Sequence, residues 1–201
     1  MTEQSDKPEK LLPLESERLT YGYFMVEDLD FVHQFHNTPG VVNDPNLLPL
    51  PIPIENSQDW LAKQLKSYAD EGMGHLKIFL KQSGKFIGRN GLRIIEIVEG
   101  VDGAYDHWYW YRGSAPENKT VRRELELGYA FLPEYWNKGY ATESSMTLCE
   151  LAFEKNLADK VVAAASADNP ASCRVLEKIG FKEGEVIFGL DLELLSFELT
   201  R

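Results

Sequence analysis

The chain has 201 residues, 43% of them hydrophobic, which is ordinary for one globular domain with a sizeable core. Its 32 acidic residues against 21 basic ones give a net charge of −11, which argues against nonspecific binding to nucleic acid or to an anionic membrane and suits a cationic amine as substrate. No apolar run approaches about 20 residues, and Met1 to Lys7 lacks the basic and apolar regions of a signal peptide, so a cytoplasmic location and no membrane contact are expected.

Residues Met1 to Glu15 are polar, contain Pro8 and Pro13, and read as a flexible arm ahead of a single domain over 16–201. Arg18 to Val26 reads as a strand, and Glu27 to Asn37 as a helix burying Leu29, Phe31, Val32 and Phe35. Pro39 stops it. Prolines 45, 49, 51 and 53 exclude regular structure from Gly40 to Ile54, which reads either as a loop over a substrate pocket or as a surface connector. Ser57 is the expected cap of a helix from Gln58 to Asp70 with an apolar stripe of Trp60, Leu61, Leu65 and Tyr68. Leu76 to Gln82 and Lys85 to Ile97 flank Ser83-Gly84 and predict an antiparallel hairpin. The irregular stretch from Val98 to Arg123 carries Tyr105, His107, Trp108, Tyr109, Trp110 and Tyr111. Packing, or continuation of the hairpin strands, is favoured there over ligand contact, because exposed aromatic patches promote aggregation.

Glu124, Glu126, Gly128 and Ala130 alternate with Leu125, Leu127, Tyr129 and Phe131, the period-2 pattern of a strand with one apolar face and one small or acidic face. Pro133 ends it, and Trp136 to Ala141 lead into a helix over Thr142 to Lys155. The order is strand, short loop, helix. Lys160 to Ser166 is a short strand of small residues. Asn169 then suits an N-cap, Pro170 the first helical position and Gly180 the residue past the end of a further helix. Phe181 to Leu199 gives two closing strands around Phe188-Gly189. Cys149 and Cys173 both fall on helices without metal-ligand spacing and read as core thiols, so neither a disulfide nor a metal site is expected.

The start of the Thr142 helix has the chemistry of an anion site: its first N–H groups lack helical partners and the helix dipole adds positive potential. Gly139 and Ala141 remove bulk there, and Lys138 adds a charge. The spacing is neither that of a triphosphate loop nor that of a dinucleotide fingerprint. Trp-x-x-Gly-x-Ala over 136–141, after a strand ending Glu126-Leu-Gly-Tyr129, resembles the acetyl-CoA-binding motif of the GNAT acetyltransferase superfamily. Trp136 in the first position resembles the ribosomal-protein N-terminal (Rim-type) branch. Asn169-Pro-Ala-Ser172-Cys-Arg174 through Lys178, Gly180 and Phe181 is similar to the second signature of that branch.

The resemblance implies an α/β (α+β) fold with a mixed, strongly twisted central sheet of about seven strands flanked by about four helices, and a splayed central strand pair that admits the pantetheine arm. It places the pyrophosphate on the backbone of Asn137, Lys138, Gly139, Tyr140, Ala141 and Thr142. Main-chain groups of Phe131 and Leu132, with Asn169, would meet pantetheine; Asn169 also reads simply as a cap. Glu126 would accept the amine proton, directly or through water, or else serve a surface salt bridge. Many relatives place a Tyr at Leu176 to protonate the thiolate; Ser172 is the alternative here, competing with a role in its helix's first turn. The expected activity is acetyl transfer from acetyl-CoA, without metal, to a primary amine, such as a protein N-terminus. A small-molecule amine (polyamine, amino acid or aminoglycoside) is the runner-up, and a non-catalytic CoA-binding domain the third reading. The expected assembly is a monomer or homodimer.

Overall fold

The computed structural model describes residues 11, 14–41, 50–100 and 104–201. Most of the expected N-terminal arm lies outside this set, but Leu11 is buried in the main core and its N–H reaches the Tyr23 hydroxyl. The Gly40–Ile54 loop is described only at its ends.

The elements follow in the order β1 (Leu19–Tyr23), α1 (Leu29–His36), α2 (Ile54–Glu71), β2 (His75–Leu80), β3 (Phe86–Val98), β4 (His107–Tyr109), β5 (Arg122–Phe131), α3 (Tyr140–Glu154), β6 (Lys160–Ala165), α4 (Pro170–Lys178), β7 (Lys182–Gly189) and β8 (Leu192–Thr200). All eight strands join one mixed sheet with four α-helices, one strand more than expected. The extra strand is β4. Within the aromatic stretch, Trp108 pairs with Ile97 of β3, and both Trp108 and Trp110 are buried against Ile95, Val162 and Ile187. Packing is therefore what Trp108 and Trp110 do, while Tyr105 and His107 stay exposed.

Two local expectations are corrected. α2 begins at Ile54 with Pro53 as N-cap, so Ser57 is no cap; it lies one turn inside, fully buried, where its hydroxyl meets the imidazoles of His33 and His36. Pro53 explains the earlier start, because an extended proline can precede a helix without losing any amide bond. The β7–β8 turn falls on Leu190-Asp191, both with positive φ, rather than on Phe188-Gly189.

β3 and β5 form the backbone of the sheet, in antiparallel register from Gly88↔Phe131 to Ile97↔Arg122. On the other side of β5, β6 runs parallel, and the parallel connection is made by α3. That pairing covers only Leu125↔Val161 and Glu126↔Val162. Beyond Glu126 β5 continues on β3 while β6 continues on β8, so the two strands part and leave a slit along Gly128 to Phe131. Alternation assigns the faces. Leu125, Leu127, Tyr129 and Phe131 join the core cluster that includes Leu148 and Cys149 of α3 and Leu176 of α4, while Glu126, Gly128 and Ala130 face the opposite way, toward α1 and α2. Among the described residues no helix is long and apolar enough to cross a membrane.

Candidate active site

The slit opens on the α3 and α4 side into a cleft of about 300 Å³, lined by Tyr129, Ala130 and Phe131 of β5, by Asn137 and Gly139 to Thr142 at the α3 entry, and by Asn169, Ser172, Arg174 and Lys178 of α4. Local structure dictates its shape. The Pro133–Tyr135 turn swings the chain away from β5, and the Trp136 indole N–H returns to the Phe131 carbonyl at 2.7 Å. Gly40 packs on that indole, where a Cβ would come within 2.9 Å of the ring. Asn137 (φ 58°) and Gly139 (φ 80°) both take the left-handed conformation, which turns successive amides to one side, as in an anion nest. The first helical bond runs from Glu143 N–H to the Gly139 carbonyl, so the amides of the preceding turn carry no helical bond. α3 is held in place from below: Asn90 of β3 donates to the Ser144 and Ser145 hydroxyls at 2.8 and 2.9 Å.

The loop is also braced from β1. Arg18 donates through Nε to Glu143 (2.6 Å) and through Nη1 to the Lys138 carbonyl (3.0 Å), and its guanidinium lies 4.6 Å from the Tyr140 ring centroid. Burial pushes the Glu143 carboxyl up, but hydrogen bonds from Ser16 and from the backbone and side chain of Arg18 outweigh this and hold it below its usual range. A carboxylate in the first turn is thus neutralised beside the anion cradle. Together with Arg174 and Lys178 of α4, the cleft is basic on a protein that is acidic overall.

The cleft wall carries a hydroxyl pair. Tyr129 reaches both the Ser172 carbonyl (3.0 Å) and the Ser172 hydroxyl (2.9 Å), while the Ser172 N–H is capped by Asn169 Oδ1 at 3.1 Å. Burial pushes the Tyr129 phenol up to about 12, only partly offset by its bond to Ser172. It remains a proton donor through the neutral range.

Most of the expected cofactor residues meet at this cleft; Leu132 and Lys138 do not line it. The Leu132 N–H is spent on the Ile87 carbonyl at 2.9 Å, which makes Leu132 a rung of the β3–β5 ladder. Because alternate residues of a strand direct their amides to opposite sides, the Phe131 amide is the one turned toward the slit. Lys138 extends its ammonium over the Tyr135 ring instead, at 5.4 Å. Asn169 both caps α4 and lines the cleft. Glu126 lies on the opposite sheet face, buried, with Oε2 at 2.7 Å from Arg93 Nε and Oε1 at 3.3 Å from Arg93 Nη2. It is neither exposed nor in a surface salt bridge. Neither Cys149 nor Cys173 is in a disulfide, and among the described residues no group of three or more His, Cys, Asp or Glu side chains is arranged to hold a metal.

The profile of the Acetyltransferase (GNAT) domain family matches residues 18–182. This chain belongs to the GNAT acetyltransferase family. YkkB, an uncharacterised protein of Bacillus subtilis (strain 168), is 30% identical over 53% of this chain and 49% of its own length, so the match spans about half of that relative. The uncharacterised N-acetyltransferase p20 of Bacillus licheniformis is 24% identical over 85% of this chain and 83% of its own. Among solved structures, an Agrobacterium tumefaciens acetyltransferase superposes with a TM-score of 0.68 at 23% identity, covering 94% of each chain. The aminoglycoside acetyltransferase AAC(6')-Ib, in complex with ribostamycin and coenzyme A, gives 0.65 at 18%, covering 92% of this chain and 94% of its own. RimL, a ribosomal alpha-N-protein acetyltransferase in complex with coenzyme A, gives 0.66 at 12%, covering 94% and 97%. At these identities the GNAT fold is what the structures share with this chain.

Sequence reading missed Arg18, Tyr129 and the charged residues of β3. Tyr129 was hidden by its place in the apolar alternation. Arg89, Asn90, Arg93 and Glu96 had a signal, since four polar or charged residues within a largely buried strand need a reason to be there.

Proposed function

We propose that this protein is an N-acetyltransferase that moves the acetyl group of acetyl-CoA to a primary amine at the β5–β6 slit. The observation that carries the proposal is the slit itself, with an anion cradle at the start of α3 on one side and buried ionisable groups on the other. The cradle suits a diphosphate: paired left-handed residues, free first-turn amides, a neutralised Glu143 and basic Arg174 and Lys178. When bound, acetyl-CoA supplies a thioester whose acetyl carbon is the electrophile and whose sulfur is the leaving group.

The residues of this chain then manage two protons. As the amine nitrogen forms its bond to the acetyl carbon and the carbon–sulfur bond breaks, one proton must leave nitrogen and one must reach sulfur. Glu126 takes the first through Oε1, directly or by way of water; this is the oxygen Arg93 holds less tightly, and it lies beside Gly128, 3.2 Å from where a Cβ of that residue would stand. Ser172 delivers the second, with the Tyr129 hydroxyl at 2.9 Å replacing its proton. A protein N-terminus is the acceptor that the Rim-type motifs favour. A small-molecule amine is the second reading, favoured by the likeness to a fold that accepts ribostamycin.

The test is thiol release from acetyl-CoA with amines of both kinds, run on the parent and on Glu126→Gln. Acetyl-CoA affinity should be retained in the variant, while kcat falls by roughly 10²–10⁴-fold near neutral pH. The deficit should shrink as pH rises and the amine deprotonates unaided. Parent-like turnover by Glu126→Gln across about pH 6–9 would put the base elsewhere. Binding without release for any amine would leave a CoA-binding domain.

A further inference from the structure

The sheet face turned toward α1 and α2 carries one more positive charge than it neutralises. Arg89 and Arg93 of β3 stand in register with Ala130 and Glu126 of β5, and Arg93 is paired with Glu126. Arg89 is not paired: among the described residues no carboxylate lies within 4.0 Å of its nitrogens. Its Nη1 meets His75 Nδ1 at 2.6 Å, its guanidinium lies 5.0 Å from the Trp60 ring centroid, and its Nε is shut from water without a hydrogen-bond partner. The neighbouring imidazoles add no counter-charge. Burial, then Arg89 and Arg93, hold His75 well below its usual range, and burial, then Arg89, bring His36 down to about 3. The Tyr68 phenol, pushed up by burial, adds none either. A cation kept from water without an anion is costly, so a fold that keeps one in place has a use for it.

Its position supplies the use. Ala130, the register partner of Arg89, lines the cleft, and side chains paired across antiparallel strands start only about 5 Å apart. The guanidinium therefore stands beside the slit, on the sheet face opposite the anion cradle. We propose that the acceptor is a primary amine that also bears a carboxylate, with the carboxylate held by Arg89 and the ammonium by Glu126. This rests on the acetyl-transfer reading of the same slit and narrows its acceptor. Guanidinium presents a planar fork that matches a carboxylate, and among the described residues Arg89 Nε and Nη2 have no acceptor to displace. The net charge of −11 draws cations at long range, but that field is screened within about 8 Å, whereas the half-buried Arg89 acts on the bound ligand directly. The carboxylate belongs either to a free amino acid or to an acidic side chain just behind a peptide N-terminus.

Thiol release with matched acceptors separates the outcomes: free amino acids against their α-amides, and short peptides with Glu against Gln in second place. In one of the two series the acid should exceed the neutral partner in kcat/KM by roughly 10- to 100-fold, the range of a charge-assisted hydrogen bond. Arg89→Gln should bring that ratio toward one, chiefly through KM, and Arg89→Lys should recover part of it, with acetyl-CoA affinity little changed in both. Arg89→Met should raise the melting temperature without acceptor, since it removes a half-buried cation with no carboxylate partner among the described residues; an arginine kept only for structure would lower it. The proposal is overturned if neutral acceptors equal acids in both series, if the ratio survives Arg89→Gln, or if polyamines and aminoglycosides are the better acceptors. The last result would leave acetyl transfer standing and remove only the carboxylate. Acetyl-CoA binding with no release from any amine would remove both.

Discussion

Gly139 is the residue on which cofactor binding should turn, and two substitutions separate its conformational role from its electrostatic one. Its φ of 80° is left-handed, so Gly139→Ala incurs about 1–2 kcal/mol of backbone strain. For a chain of this length that lowers the melting temperature by roughly 2–8 °C. The added Cβ meets only Arg18 Nη2, at 3.4 Å, the end of a flexible side chain that can give way. Gly139→Asp adds the same strain and a negative charge in the cradle. A carboxylate about 5 Å from one phosphate charge is opposed by about 3 kcal/mol at an effective dielectric constant near 20. Solvent at this open site, and the adjacent Arg18, reduce that to about 1–2 kcal/mol, or roughly a five- to thirtyfold weaker Kd. Isothermal titration calorimetry with acetyl-CoA at low and high salt is the assay. Both variants should lose similar stability, the Asp variant should lose much more affinity, and its deficit should narrow as salt rises. If both fold and bind acetyl-CoA as the parent does, the pyrophosphate does not sit at the start of α3. If Ala weakens binding as much as Asp, with no salt dependence, the loop matters through its shape alone.

Two further outcomes follow from the hydroxyl pair and the buried histidines. Ser172→Ala and Tyr129→Phe should each slow turnover, and the double variant should be little worse than the poorer single one, because both act on one proton. Neither should add an inflection to the pH profile below the Tyr129 value of about 12; independent, multiplying losses would break the proposed relay. His36, held at about 3 when folded and near its ordinary 6.5 when unfolded, binds a proton only in the unfolded chain between these values. Its contribution is therefore complete above about pH 6.5 and is lost as pH falls toward 3, by about 1.4 kcal/mol per pH unit, with His75 acting in the same direction. Urea midpoints should fall between about pH 7 and pH 5, and less steeply in His36→Gln; equal midpoints across that interval would mean the imidazole is protonated in the fold.

The parts legible in the sequence were those in which local chemistry and global fold agree. β5 alternates with period 2, and Asn169-Pro170 states the start of α4 in two residues. The α3 entry was readable because glycine at 139 answers a backbone need that no other residue meets cheaply. The sequence misled where tertiary contacts overrode local preference. Ser57 has the chemistry of a cap, yet its hydroxyl is used by two imidazoles from α1. Leu190 and Asp191 take positive φ without glycine, so the adjacent Gly189 drew the turn to the wrong place. The small face of β5 was legible from its alternation, but which groups stand opposite depends on β2, β3 and α2. A Cβ at Gly128 would lie 2.8 Å from His75 Nε2, and a Cβ at Gly91 only 2.2 Å from the Gly74 carbonyl, so these glycines admit neighbouring chain rather than empty space.

The same closeness explains why the polar cluster stays ordered without a ligand. The His75 ring is pinned between the Gly128 backbone and Arg89, its backbone N–H donates to Gln64 Oε1 of α2, and Trp60 of α2 stacks on the ring at 5.9 Å. With Nδ1 accepting from Arg89, the neutral ring carries its proton on Nε2, beside Gly128 at the mouth of the slit. An acceptor arriving from the α2 side thus meets a guanidinium, an imidazole N–H and the Glu126 carboxylate on rigid strands, with no lysine among them whose ammonium would mimic the substrate amine. Such preorganisation trades folding stability for orientation of the nucleophile. Arg89, whose charge has no carboxylate partner among the described residues, is therefore the one whose replacement should most change acceptor choice.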